Sequence, residues 1–263
     1  MKVTTLIENT TCRDDLTCEH GLSLYIETEN HRILFDAGQT GAFAVNAEKL
    51  GIDLRQVNFA VLSHGHYDHG GGLSRFLEIN RTASVYLNRD AFLPHWNGTT
   101  KYIGLDPSLL DCGRLIFTED RLEIAQGIHL YTCNSKTRPF PADSFGLNAS
   151  ENGRILPDDF RHEQYLLIEE NGKRICISGC SHKGILNIVH WFQPDILIGG
   201  FHFKKLDPMG DGAKVLTDAA HRLMAYPTLY YTGHCTGTAQ FHYMKQIMGQ
   251  RLQGISVGTV LTI

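Results

Sequence analysis

The residues best suited to chemistry are Ser63-His64-Gly65-His66-Tyr67-Asp68-His69-Gly70, three histidines and an aspartate within six positions. Imidazole and carboxylate are the usual ligands of zinc, iron and manganese. His64 and His66 are two apart, so on extended backbone their side chains point the same way and can hold one ion together. Asp68 and His69 lie a turn further on and could serve a second ion close by. The plain alternative is a polar surface loop rich in histidine. The order of the residues, directly after an apolar run, favours the metal.

That run, residues 57–62, reads as a buried strand, and residues 71–79 read as a helix. The cluster therefore sits where a rigid strand gives way to an exposed turn, a common place for active sites. The same arrangement recurs. Residues 174–178 lead to Gly179-Cys180-Ser181-His182, residues 195–198 to Gly199-Gly200-Phe201-His202, and residues 228–231 to Thr232-Gly233-His234-Cys235-Thr236-Gly237. Residues 32–35 end in Asp36. If these strands lie in packed sheets with their carboxyl ends together, five polar clusters converge on one edge and build a metal site from distant sequence. His182 and His234 then read as ligands. His202 is open between ligand, substrate contact and donor to a ligand. Cys180 reads as a thiolate ligand or as a small buried residue. The other histidines, His95 and His162 among them, are assigned to surface or core.

The remaining elements follow the same grammar. Strands are expected at residues 1–9, 20–28, 83–87, 164–169 and 254–261, and helices at 41–51, 185–192, 215–224 and 239–248. Residues 88–111 and 135–160 show no clear period and read as two long loops, the first an insertion or lid. No Pro-, Gly- or Ser-rich linker divides the chain. The expectation is one domain over residues 1–263 with two pseudo-equivalent halves.

Composition sets the bounds. The 263 residues are 42% hydrophobic and 20% charged, with a net charge of −4, as in soluble globular chains. No basic run or aromatic-basic stripe points to nucleic acid. No apolar stretch approaches the roughly 20 residues of a membrane span. Seven cysteines, an odd count, and a short polar N-terminus predict free thiols and a cytoplasmic location. A small molecule is the expected partner; the oligomeric state is not legible.

The motifs together resemble the metallo-β-lactamase superfamily. The cluster at 64–69 matches its HxHxDH signature, and the motifs span residues 32–237. The later ones look like the branch that holds the 7,8-dihydropterin-6-methyl-4-(β-D-ribofuranosyl)aminobenzene-5′-phosphate synthases, tied to methanopterin biosynthesis. The resemblance implies an α/β fold: a four-layer αββα sandwich of two mixed sheets flanked by helices, with a metal centre at one edge. It implies that His64, His66 and His182 hold one ion and that Asp68, His69 and His234 hold another. Asp36 would fix the first ligand loop. In most hydrolytic members a bridging Asp stands where this chain has Gly179-Cys180, which leaves open whether Cys180 or His182 is the ligand and whether one ion binds or two.

The expected function is a metal-dependent hydrolase or related transferase. One or two divalent ions, zinc first with iron or manganese as alternatives, would activate water against a small phosphorylated or pterin-like substrate. Asp68 and His202 are the candidate catalytic residues, and Lys183, Lys204 and Lys205 could meet a phosphate. The rival readings are an iron-dependent redox protein and a non-enzymatic metal or ligand sensor on the same fold.

Overall fold

A computed structural model describes residues 1–263. Its frame is a pair of seven-stranded sheets. The first runs in the spatial order Val260–Thr262, Lys2–Ile7, Ser23–Glu27, Arg32–Phe35, Phe59–Val61, Ser84–Asn88, Leu115–Thr118. The second runs Leu252–Gly254, Leu229–Thr232, Ile196–Ile198, Lys173–Ile177, Tyr165–Glu170, Ile128–Tyr131, Arg121–Ala125. Each begins with antiparallel pairs and continues with parallel ones. Both sheets are therefore mixed, and the two halves do repeat one plan.

Side-chain alternation explains the layering. Successive strand residues face opposite sides. Ile33 and Phe35 point inward to meet Leu166, Ile168, Ile175, Ile177 and Ile198 of the other sheet. Leu34, Ala60 and Val85 point outward against Phe43, Leu73 and Phe76 of helices Ala42–Lys49 and Leu73–Ile79. On the far side Leu167, Cys176, Leu197 and Tyr230 meet Ile188, Leu216 and Met244 of helices Ile185–Phe192, Gly212–Met224 and Thr238–Met248. The layers are thus helix, sheet, sheet, helix. Phe35 is fully buried between the sheets; truncating such a side chain to alanine costs about 3–5 kcal/mol.

Two expectations need correction. The last strand, expected over 254–261, is two strands: Leu252–Gly254 edges the second sheet and Val260–Thr262 crosses to the first. Gly254 and Gly258 bracket the break, and Gly258 takes φ +90°, a conformation open to glycine. The two loose regions are not separate loops either. Leu147–Glu151 pairs with Arg154–Pro157 and with His95–Asn97, which pairs with Lys101–Tyr102. They form a four-stranded flap sheet. Its strands are two to five residues long and partly exposed, so they carry little hydrophobic period.

No helix is long and apolar enough to cross a membrane. All seven cysteines are free thiols.

Candidate metal centre

The carboxyl ends of Arg32–Phe35, Phe59–Val61, Lys173–Ile177, Ile196–Ile198 and Leu229–Thr232 meet at one edge of the sandwich, as the strand-end pattern requires. Turning the chain there uses strained backbone. Asp36, Ser181, His202 and His234 all take φ between +51° and +59°, which costs a non-glycine residue on the order of 1–3 kcal/mol and tends to mark functional sites. Glycine is used where atoms come too close: a Cβ on Gly65 would run into the backbone of Ala91.

Asp36, buried, organises the first ligand loop. Its carboxylate accepts from the Ser63 backbone N (2.7 Å), from Ser63 Oγ (2.7 Å) and from His69 Nδ1 (2.6 Å). Because Ser63 Oγ spends its proton on Asp36, it can only accept from His64 Nδ1, 2.8 Å away. A carboxylate only accepts, so the neutral His69 also carries its proton on Nδ1. Both imidazoles are thereby left with a lone pair on Nε2.

Those lone pairs face others. His64 Nε2 lies 3.3 Å from His182 Nε2, and His66 completes a buried triad whose donor atoms all lie within 4.8 Å of one another. His69 Nε2 lies 3.2 Å from His234 Nε2. His234 Nδ1 faces the carboxamide oxygen of Asn9 at 3.0 Å, and that oxygen is identified by the Gly21 N–H it also accepts. His234 Nε2 is therefore unprotonated in the neutral ring. Asp68 Oδ2 stands 3.4 Å from His234 Nε2 and 3.8 Å from His69 Nε2. These nitrogen and carboxylate donors converge on a common space that a cation can occupy in place of the protons between them. The donor set of N and O atoms, at the spacing of ligands around one ion, fits zinc, iron or manganese.

The electrostatics agree. Burial and the neighbouring imidazoles hold His64 and His182 well below the ordinary histidine range, which keeps them in the neutral, ligating form. His69 differs: burial opposes its charge, but Asp36 and Asp68 outweigh it and raise its pKa to about 9, so without metal the ring is a cation at neutral pH and an ion would take the place of its Nε2 proton. Asp68 is held well below the carboxylate range, against the cost of burial, by His69 and His234.

Cys180 Sγ lies 3.2 Å from His69 Nε2. It also falls within 4.8 Å of donor atoms in His64, in the pair His182 and His202, and in the pair His234 and Cys235. The sulfur sits between the two ligand sets, and His182 stands in the first. The structure brings both Cys180 and His182 to the centre. His202, half-exposed, packs on His182 with ring centroids 4.3 Å apart.

One phosphate candidate is overturned. Lys183 is fully buried, and its Nζ donates to the carbonyls of Thr132 and Glu163 and to Asn134 Oδ1. Burial lowers its pKa to about 8. It braces the loop and reaches no cavity. Lys204 and Lys205 do line the cavity of about 360 Å³ over the metal ligands, and Lys101 of the flap joins them.

Sequence reasoning missed several residues. Glu163 accepts from the backbone N–H groups of His182 and Lys183. Glu8 accepts from the backbone N–H of His234. His20 reaches Asp68 Oδ2 at 3.3 Å, and its pKa is lowered to about 4 by burial and by His234. Glu8 and Asn9 had a signal: they follow strand Lys2–Ile7 at the same edge, so the strand-end rule extends to them. Cys235 stood in a quoted motif but was passed over. His95, Asp158 and His162 lay in or beside the flap, where no period placed them.

The comparisons with known proteins agree with this geometry. The family model described as Metallo-beta-lactamase superfamily matches residues 16–207. The chain belongs to the metallo-β-lactamase superfamily. An uncharacterized protein of Methanocaldococcus jannaschii is 32% identical over 251 residues, covering 92% of this chain and 93% of its own. The 7,8-dihydropterin-6-methyl-4-(beta-D-ribofuranosyl)-aminobenzene-5′-phosphate synthase of the same organism is 29% identical over 271 residues, covering 92% and 90%. Among solved structures, a metal-dependent hydrolase of the beta-lactamase superfamily superposes with a TM-score of 0.82 at 27% identity, over 100% of this chain and 99% of that one. The superfamily fold and the resemblance to the pterin-synthase branch are both borne out.

Proposed function

We propose that this metallo-β-lactamase-fold chain is a metal-dependent hydrolase or related phosphoryl-handling transferase acting on a small, anionic, phosphorylated substrate. The observation that carries it is the pair of converging donor sets, His64/His66/His182 and Asp68/His69/His234, with Cys180 beside both under a lysine-bordered cavity. Cys180 would stand where most hydrolytic members carry a carboxylate; burial pushes its thiol up, so it would serve as a ligand only once a bound cation had displaced its proton. Two divalent ions, zinc first, would supply Lewis acidity and lower the pKa of water from about 16 to about 7.

The protein's own residues then have distinct tasks. Asp68 orients the attacking water, whose oxygen forms the new bond to phosphorus. Lys101, Lys204 and Lys205 hold the anionic end of the substrate. His202, at the mouth of the cavity, gives a proton to the leaving oxygen as its bond to phosphorus breaks. The flap strands, through Ile103 and Leu147, exclude bulk water. The similarity to a pterin-related synthase favours a substrate with a heterocycle as well as a phosphate.

The test is metal content by mass spectrometry on untagged protein, with His66→Ala beside it, followed by a panel of phosphate esters. About two ions per chain, depleted in the variant, with turnover that needs them, is the expected result. Absence of metal after reconstitution would sink the proposal.

A further inference from the structure

Behind the cavity, on the side away from the substrate, lies a second buried group: His66, His95, Asp158 and His162. Each places a donor atom within 4.8 Å of the other three. Such a set could be taken for another metal site. One hydrogen bond argues otherwise. The backbone N–H of Gly65 donates to His162 Nδ1 at 2.9 Å, so the proton of neutral His162 is on Nε2. That nitrogen points at Asp158 Oδ2, 3.2 Å away, and a nitrogen carrying a proton cannot ligate a metal.

The rest follows from counting donors and acceptors. Asp158 Oδ2 also faces His95 Nδ1 at 3.0 Å, so His95 carries its proton on Nδ1 and a lone pair on Nε2. Asp158 Oδ1 accepts from the Phe160 backbone N (2.7 Å), which pins the carboxylate. His95 Nε2 is buried and bonded to nothing, and so is His66 Nε2. The two rings meet edge-on, with centroids 5.4 Å apart. The structure draws no hydrogen bond between them, but each lacks a partner, and with His95 Nε2 fixed as an acceptor a proton on His66 Nε2 would satisfy both after a small turn of the rings.

We propose that Asp158 and His95 form a positioning arm for His66: His66 donates Nε2–H to His95 Nε2 and so presents Nδ1 to the metal. The arm belongs to the flap. His95 opens strand His95–Asn97, paired with Ala149, and Asp158 directly follows strand Arg154–Pro157. The flap that carries Lys101 over the cavity is therefore latched to a metal ligand. Substrate-side and metal-side geometry are set by one small sheet. A hydrogen bond to the far nitrogen of a ligating histidine fixes its tautomer and its ring plane, and its loss typically costs 10–100-fold in metal affinity.

This inference rests on the metal reading for its consequence, but its test does not. Long-range proton–nitrogen NMR on histidine-labelled protein, metal-free and zinc-loaded, reads each ring's tautomer. The expected result is a proton on Nε2 of His66 and on Nδ1 of His95 in both forms. Chelator competition on His95→Leu should then show one ion bound roughly 10–100-fold more weakly and the other unchanged. His95→Gln, which keeps an acceptor oxygen, should restore most of the loss. A proton on Nδ1 of His66 overturns the proposal. So does His95→Leu with unaltered affinity for both ions, or a further zinc equivalent that this variant loses. If His95→Leu does not fold, the wild-type tautomers decide. If the protein takes up no metal, the proposed function fails alone and the metal-free tautomers still decide the arm.

Discussion

Asp36→Asn is the substitution that tests the ligand tautomers most directly. The side chain touches no predicted ion, yet one carboxylate sets a ligand in each set: His69 directly and His64 through Ser63. In the variant the carboxamide oxygen can still accept from the Ser63 backbone, but an NH₂ replaces the oxygen that faces Ser63 Oγ and His69 Nδ1. Ser63 Oγ must then accept from the amide and turn its proton on His64 Nδ1. His69 Nδ1 must become an acceptor. Both rings move their proton to Nε2, the atom that faces the metal. At about 10–100-fold per misoriented ligand, the combined loss is on the order of 10²–10⁴-fold across the two ions. The metal-free protein gives a second, independent reading. The His69 pKa is raised from 6.5 to about 9, and a tenfold change in proton affinity between folded and unfolded chain corresponds to about 1.4 kcal/mol. A raised histidine stabilises the fold fully below its unfolded value and loses that contribution as pH rises through the folded one. Metal-free wild type should therefore lose about 3 kcal/mol between pH 6.5 and pH 9 in urea titrations. Asp36→Asn should be weaker at pH 6 and fall less over that window, since Asp68 still favours the charged ring. Chelator competition supplies the affinities. Zinc binding within threefold of wild type would refute the tautomer assignment; a wild-type stability that does not fall from pH 6.5 to 9 would refute the charge on metal-free His69.

Other consequences can be checked with the same protein. Cys180→Ser should keep the fold but weaken the second ion and bleach the sulfur-to-metal charge-transfer band of the cobalt-substituted protein; an unchanged spectrum would remove Cys180 from the ligand set. Lys183→Met strands the carbonyls of Thr132 and Glu163, and should cost roughly 2–6 kcal/mol in urea unfolding at about 1–3 kcal/mol per unsatisfied group. Lys204→Ala should leave stability within about 0.5 kcal/mol and raise KM for an anionic substrate several-fold, the opposite pattern. Below about pH 4, metal-free protein should lose the stability that Asp68 and Asp158 contribute, since both are held well below the usual carboxylate value; acid titration by circular dichroism reads this.

The site was legible wherever a strand ran into it. Val61, Ile177, Ile198 and Thr232 end regular elements, and the polar residues after them must lie at a common edge once the strands are parallel. The HxHxDH cluster adds the residue types, so the side chains that converge at that edge could be named from spacing and resemblance alone. What escaped was whatever is placed by pairing between distant short strands. His95 and Asp158 are 63 residues apart, and they meet only because Leu147–Glu151 pairs with both His95–Asn97 and Arg154–Pro157. Strands this short, half in solvent, leave no periodic trace, and a histidine within them looks like any surface histidine. Lys183 failed for the opposite reason. Its position behind a strand-end histidine looked exposed, but Glu163 draws the backbone of 182–183 inward and buries the lysine with it.

The sharing of ligands between halves explains why the sandwich needs an edge site at all. His64, His66, Asp68 and His69 follow a strand of the first sheet; His182 and His234 follow strands of the second. Every proposed ion is held from both sheets, so each would add a link across the interface to the inner aliphatic residues and to the hydrogen bonds of Gln164 and Glu8. The two links differ in their supports. The second ion's ligands lean on Asp36, Glu8 and Asn9, all at ends of first-sheet strands and rigid with them. The first ion's ligand His66 leans on the flap. A substrate that moves the flap through Lys101 would therefore reach the first ion before the second, and the ion whose ligand is held by the flap is the one whose affinity substrate should change.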